Sequence, residues 1–149
     1  DLRRDGGLER HRPDFGGPGH RHPTAGATLV AARPPLVAFN VELEPPATLE
    51  QARDIAARIR EGGPEGLPGL RAIGLALERQ GIVQVSTNIE DHRATSAAQV
   101  VAAVRRHAAV RRAELVALTP QAAFAGFPDD VEVAGFDPAR SVIERRIDC

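Results

Sequence analysis

The chain has 149 residues, a formal net charge of −1 and a single cysteine, Cys149, at its last position. That length suits one domain burying about two-thirds of its unfolded surface, and the balanced charge argues against a nucleic-acid or anionic-membrane partner. No apolar run reaches the ~18 residues of a membrane span, and one terminal cysteine cannot close an intrachain disulfide, so a cytoplasmic setting is the default expectation.

All 19 basic residues are Arg and none is Lys. They are scattered over helices and loops instead of forming one stripe, which weighs further against nucleic acid. The chain opens with Asp and contains no Met, which reads as a processed product or a piece of a longer chain. Residues 1–12 are charged and aperiodic, as in a tail or linker. From Asp14 the chain becomes a Gly/Pro/His-rich loop, DFGGPGHRHPTAGAT, that feeds through Arg33-Pro34-Pro35 into a strand at Leu36–Leu43. The glycines permit positive φ and close approach of backbone to a ligand. Along the strand, Val37, Phe39, Val41 and Leu43 point one way and Leu36, Ala38, Asn40 and Glu42 the other.

Pro45 and Pro46 stop that strand. A helix follows: Thr48 and Gln51 have capping-box spacing, and Leu49, Ala52, Ile55, Ala56 and Ile59 form one apolar stripe. Gly62-Gly63-Pro64 ends it. Residues 70–89 predict a hairpin that turns at Arg79-Gln80-Gly81. Ile73, Leu75 and Leu77 alternate with Ala72, Gly74 and Ala76 on its first arm; Val83, Val85 and Ile89 alternate with Gln84, Ser86 and Asn88 on its second. Ser96 and Gln99 cap a second helix with Val100, Val101, Val104 and Ala108 inward and Arg105, Arg106, Arg111 and Arg112 outward. A fourth strand is predicted over Glu114–Leu118, with two short helical pieces beyond Pro120.

The order βαββαβ predicts an α+β fold, a ferredoxin-like plait of four antiparallel strands with both helices on one face and strands one and three in the middle. The face left open by the helices is then expected to carry Asn40, Glu42, Gln84, Ser86 and Asn88, together with the small Ala72, Gly74 and Ala76. Such a face is either solvated or covered by something else. Single-stranded RNA would need aromatics there for base stacking, and Phe39 falls on the other face. His20 and His22 lack a third ligand of convincing spacing, so no metal site is expected. His92 and His107 stand alone, Asp129-Asp130 reads as a solvated pair, and no Ser-His-Asp order, phosphate loop or dinucleotide fingerprint occurs.

Several blocks together resemble the C-terminal subdomain of the glutamate formiminotransferases, the family that includes the transferase part of formiminotransferase-cyclodeaminase. They are PDFG (Pro13–Gly16), HPTAGAT (His22–Thr28), Ala32-Arg33 and LVAFNVEL (Leu36–Leu43), then QARDIAARIRE (Gln51–Glu61), GLPG (Gly66–Gly69), GIVQVSTNIED (Gly81–Asp91), AELVALTP (Ala113–Pro120) and FDPARSVIERR (Phe136–Arg146). The resemblance makes residues 13–149 one such subdomain. Ala31, Ala113 and Ala117 stand where the family usually has Gly, Ser and Gly.

The resemblance implies two subdomains facing each other sheet to sheet across a folate channel. The open face here, with Asn40, Gln84, Ser86 and Asn88, would be one wall of it. The loop Gly16, Gly17, Pro18, Gly19, His20, Arg21, His22, Pro23, Thr24, Ala25, Gly26 would contact folate. The implied reaction, part of histidine degradation, moves a formimino group from N-formimino-L-glutamate to tetrahydrofolate as co-substrate, without a metal. The family's catalytic histidine belongs to the N-terminal subdomain, so no catalytic residue is assigned in this chain, and that subdomain is the implied partner; family members assemble as homodimers. Arg33 is expected either to hold a substrate carboxylate or to bridge structurally to Asp14 or Glu42. The alternative from another class is a stand-alone ferredoxin-like module that binds a ligand or a partner without transferase activity.

Overall fold

The computed structural model describes Asp14, Thr24, Gly26, Thr28 and residues 30–147. The chain divides into two compact units, Asp1–Ala32 and Arg33–Cys149. The tail over residues 1–12 lies outside the described residues. In the second unit the elements run β1 (Val37–Leu43), α1 (Leu49–Ile59), β2 (Leu70–Leu77), β3 (Ile82–Ile89), α2 (Ala97–Arg105), β4 (Val110–Leu115), β5 (Val133–Ala134), α3 (Pro138–Ser141) and α4 (Ile143–Ile147).

The sheet has five strands in the order β2-β3-β1-β4-β5. All pairs are antiparallel except β4–β5, which is parallel. The expectation of four antiparallel strands is therefore corrected to a five-stranded mixed sheet in an α+β fold. β5 is only two residues long and escaped notice because period-2 alternation needs about four residues to register. β1 and β3 lie inside the sheet, with β1 at its centre.

The odd residues of β1 build the core. Val37, Phe39 and Val41 are fully buried, and they cluster with Ala52, Ile55, Ala56 and Ile59 of α1 and Val100, Val101 and Val104 of α2. Both helices begin at side-chain caps. Ser96 and Gln99 complete a capping box, with Gln99 N donating to Ser96 Oγ and Ser96 N to Gln99 Oε1. At α1 only half of the box forms: Thr48 Oγ1 accepts from Gln51 N at 3.1 Å, while the Gln51 side chain donates to His107 O. The core is closed by aromatics from the segment after β4. Phe39 meets Phe124 and Phe127 edge to face at 5.8 and 6.0 Å, and Phe124 stacks on Phe136 at 5.2 Å. Such edge-to-face pairs contribute about 0.5–1.5 kcal/mol beyond their burial.

Two further expectations about the strands are corrected. The fourth strand begins at Val110 rather than Glu114, so Arg111 and Arg112 belong to β4 and not to the outer face of α2, which ends at Arg105. Ala108 lies in the turn between them, packed against the core. The hairpin turns near its expected position, in a 3₁₀ turn at Glu78–Gln80 closed by Gly81 at φ 64°, a left-handed conformation that suits glycine.

The second correction concerns β2. Its register with β3 pairs Ile73 with Ser86 and Leu75 with Gln84, and pairs Ala72, Gly74 and Ala76 with Thr87, Val85 and Val83. Ala72, Gly74 and Ala76 thus face the helices, and Ile73, Leu75 and Leu77 occupy the open face. The reason is distance. A Cβ at Gly74 would stand 2.3 Å from Arg53 N and 2.5 Å from the Ala52 carbonyl carbon, so α1 can lie on β2 only where the side chains are smallest.

A charged cluster ties the loop after α1 to the end of α2. The Glu65 carboxylate accepts from Arg106 Nε at 3.2 Å and Nη2 at 3.0 Å and lies 3.1 Å from His107 Nε2. These partners, the His107 hydrogen bond first, hold the Glu65 carboxyl below the usual carboxylate range. Asp130, expected to be simply solvated, instead takes a two-pronged contact from Arg105 at 2.7 and 3.2 Å.

Gly74→Ala is expected to destabilise the chain by about 1–3 kcal/mol, the usual cost of overpacking, as a lower urea midpoint; an unchanged midpoint would show that α1 shifts freely over β2. A carboxyl with a depressed native pKa stabilises above its unfolded value and stops doing so as pH falls through the native one. Glu65→Gln is therefore expected to be less stable than the parent chain at pH 7, with the difference shrinking as pH falls below the free carboxylate value and through the lowered native one.

Candidate functional site

The side of the sheet opposite the helices follows from strand register. Ala38 pairs with Asn88, Asn40 with Ser86 and Glu42 with Gln84, and on the other flank Asn40 pairs with Glu114 and Glu42 with Arg112. Directly paired residues project to the same face. Three rows result, ordered from β2 to β4. Arg71, Asn88 and Ala38 form one, Ile73, Ser86, Asn40 and Glu114 the next, and Leu75, Gln84, Glu42 and Arg112 the third.

This face is polar in the middle and apolar at the β2 margin, where Ile73 is 56% exposed. Its central polar residues are nevertheless out of water: Asn40, Glu42 and Gln84 are 7%, 3% and 4% exposed. Buried polar atoms cost free energy unless they are hydrogen-bonded, and two of the three have partners from β4. Asn40 Nδ2 donates to Glu114 Oε2 at 2.8 Å, and Arg112 Nε donates to Glu42 Oε2 at 2.9 Å. That hydrogen bond, with the Glu42 charge, strengthens the hold of Arg112 on its proton. Gln84 Oε1 is buried without any hydrogen-bond partner.

The structure thus places Asn40, Gln84, Ser86 and Asn88 on one face. It does not place Ala72, Gly74 and Ala76 there. Arg33 is exposed and forms no ion pair among the described residues; Glu42, one of its two expected structural partners, is engaged by Arg112 instead. Thr24 and Gly26 are described, but Gly16, Gly17, Pro18, Gly19, His20, Arg21, His22, Pro23 and Ala25 lie outside the described residues. Sequence reasoning missed Arg112 and Glu114 as members of this face. Their signal was the alternation of Arg112 and Glu114 with Ala113 and Leu115, hidden because the helix-period run from α2 continues in pattern past its true end.

Among the described residues no group of three or more His, Cys, Asp or Glu side chains could hold a metal ion. No helix of the described residues is long and apolar enough to cross a membrane.

The fold is thus an α+β domain with helices on one side of a mixed sheet and a buried polar row on the other. Comparison with known proteins identifies it. Residues 38–126 match the Formiminotransferase domain family. The chain is 40% identical over 118 residues to formimidoyltransferase-cyclodeaminase of Rattus norvegicus, covering 72% of the chain and 21% of that protein. It is 34% identical over 141 residues to glutamate formimidoyltransferase of Streptococcus pyogenes serotype M1, covering 91% of the chain and 46% of that enzyme. The similarity to glutamate formimidoyltransferase of Thermoplasma acidophilum is 29% over 150 residues, with 94% and 46% covered. The chain belongs to the formiminotransferase domain family. It spans about a fifth of the bifunctional relatives and just under half of the single-function ones.

The Asn40–Glu114 pair is the simplest to probe. Asn40→Ala removes a partly buried hydrogen bond and is expected to cost about 1–2 kcal/mol. Urea denaturation measures it, and a loss below 0.5 kcal/mol, on the order of a surface substitution, would show that the pair does not stabilise the sheet.

Proposed function

We propose that this chain is the folate-contacting part of a glutamate formiminotransferase, built on a ferredoxin-like core. In this reading the sheet face bearing Asn40, Gln84, Ser86 and Asn88 forms one wall of a channel whose other wall is an N-terminal subdomain. The observation that carries the reading is the buried polar row on a helix-free sheet face in a chain of this family: Asn40, Glu42 and Gln84 are all under 10% exposed. A face meant only for water would not bury its polar groups.

The proposed reaction transfers the formimino group of N-formimino-L-glutamate to N5 of tetrahydrofolate. Nitrogen attacks the formimino carbon, the bond from that carbon to the glutamate nitrogen breaks, and a proton passes from the attacking nitrogen to the departing one. Aligning two substrates converts a bimolecular encounter into an effectively unimolecular step, and this is the work assigned to the present chain. The proton transfer is assigned to the N-terminal subdomain, as the resemblance to the family implies. The loop Gly16–Gly26 is proposed to touch folate, and exposed Arg33 to hold a carboxylate of the folate tail or of glutamate by a charge-assisted pair. The assembly proposed is a homodimer in the cytoplasm, with no metal.

Small-molecule sites bury most of their ligand's surface, so a channel with one wall removed is expected to bind weakly. Tetrahydrofolate should bind the isolated chain at least ten-fold more weakly than it binds the chain combined with a separately made N-terminal formiminotransferase subdomain, and formimino transfer should appear only in the mixture. Calorimetric titration and a transfer assay measure both. Turnover by the chain alone would overturn the division of labour, and a mixture that neither binds nor transfers would favour a module without transferase activity.

A further inference from the structure

The two edges of the sheet differ. β5 covers the outer side of β4, and beyond it Thr119 bridges to Val142. At the other edge β2, eight residues long, pairs only with β3 among the described residues. The start of β2 shows which of its backbone groups point outward. Leu70 O accepts from Glu61 N at 2.7 Å and Leu70 N donates to Leu67 O at 3.2 Å, so Leu70 faces away from β3. Backbone groups of successive residues alternate between the two sides of a strand, and those of Ala72, Gly74 and Ala76 therefore point the same way. Among the described residues no backbone group outside the sheet bonds to them. Sheets usually guard such an edge with a proline, a bulge, charges or a very short strand. β2 contains no Pro, its register with β3 is unbroken, and its one charged residue, Arg71, is engaged by Glu90 at 2.6 Å.

A bare row of backbone donors and acceptors takes another extended strand, and the side chains along β2 say which. A two-fold axis through Gly74, perpendicular to the sheet, sets β2 antiparallel to its own copy. Gly74 then stands opposite the second copy's Gly74 and Ala72 opposite its Ala76, each pair placed to exchange N–H and C=O. On the open face Ile73, 56% exposed, meets the second copy's Leu75. On the helix side the atoms of α1 nearest to Gly74 belong to Ala52 and Arg53, so the same axis lays α1 antiparallel beside its own copy. Glu50 of one helix then lies toward Arg53 of the other. Both are exposed, and neither has an ion pair among the described residues. Backbone, apolar and charged groups are self-complementary about one axis, as a two-fold interface requires.

We infer that β2 is a dimerisation edge, to which a second copy of this chain adds its own β2 to make one continuous sheet. This gives the proposed homodimer its interface. It does not depend on the folate reading, which uses the face of the sheet and not its edge.

The test is sedimentation equilibrium of the 149-residue chain, with hydrogen exchange at the amides of Ala72, Gly74 and Ala76. The parent is expected to be a dimer in which these three amides are protected, and to lose that protection on dilution. Ala76→Pro removes an outward N–H and leaves the bonds to β3 in place. Because the two-fold axis repeats the loss, the dimer dissociation constant is expected to rise at least about ten-fold. Glu50→Arg, at an exposed site that does not bear on folding of the core, sets like charges across the axis and should weaken the dimer several-fold. Adding Arg53→Glu to it should restore the dimer, a rescue that damage to the fold would not give. A dimer whose three amides exchange freely, or which neither Ala76→Pro nor Glu50→Arg weakens, would overturn the β2 edge and leave the proposed homodimer standing. A chain that stays monomeric would overturn both, and protection of the three amides in that monomer would show that another stretch of the same chain covers the edge.

Discussion

The structure depends on the double burial of β1. This one strand is the middle of the sheet, and its odd residues Val37, Phe39, Val41 and Leu43 are 0–3% exposed while Asn40 and Glu42 behind them are under 10%. A strand that puts apolar groups into a core on one side and polar groups out of water on the other must find partners for the second set. β4 supplies them. Glu114 and Arg112 stand opposite Asn40 and Glu42 in register, so the hydrogen bonds from these side chains and the backbone ladder specify the same pairing. A slip of one residue would lose both and turn Phe39 toward the polar side.

The apolar side is governed by how close α1 can come. Gly74 leaves room for the backbone at Ala52 and Arg53, and the small side chains flanking it extend the same low surface along β2. Leu70 at the start of β2 is fully buried. The larger Ile73, Leu75 and Leu77 are displaced to the opposite face, where they form an apolar margin next to the polar row. The character of the open face, polar in the centre and apolar at one edge, is thus a by-product of helix packing on the other side.

The segment after β4 does two jobs. Phe124, Phe127 and Phe136 close the core against Phe39, and Val133–Ala134 adds a parallel strand that covers the outer edge of β4. An exposed edge at that position would leave unpaired backbone groups beside the Asn40–Glu114 and Glu42–Arg112 pairs. Arg105–Asp130 and Glu65 with Arg106 and His107 pin the surrounding loops to α2; the Arg105–Asp130 pair, with Asp130 71% exposed, serves more to define loop position than to hold the fold.

Much of this was legible in the residues. Period-2 alternation from Val37 to Leu43 and from Val83 to Ile89, the two apolar helical stripes and the Thr48 and Ser96 caps each act over a few residues. Local sequence therefore determines them, together with the family to which the blocks around Asn40 and Gln84 belong. Other features were decided only by tertiary structure. Which face of β2 turns inward could not be read from Ile73, Leu75 and Leu77, because hydrophobicity favours burying them and the steric limit at Gly74 lies in a helix twenty residues away. The start of β4 was hidden because Arg111 and Arg112 continue a helical pattern that ends only when Arg112 finds Glu42 across the sheet. The unpaired state of Gln84 is likewise a property of the assembled face. Its partners or their absence depend on three strands meeting in register, and no stretch of one strand contains that information.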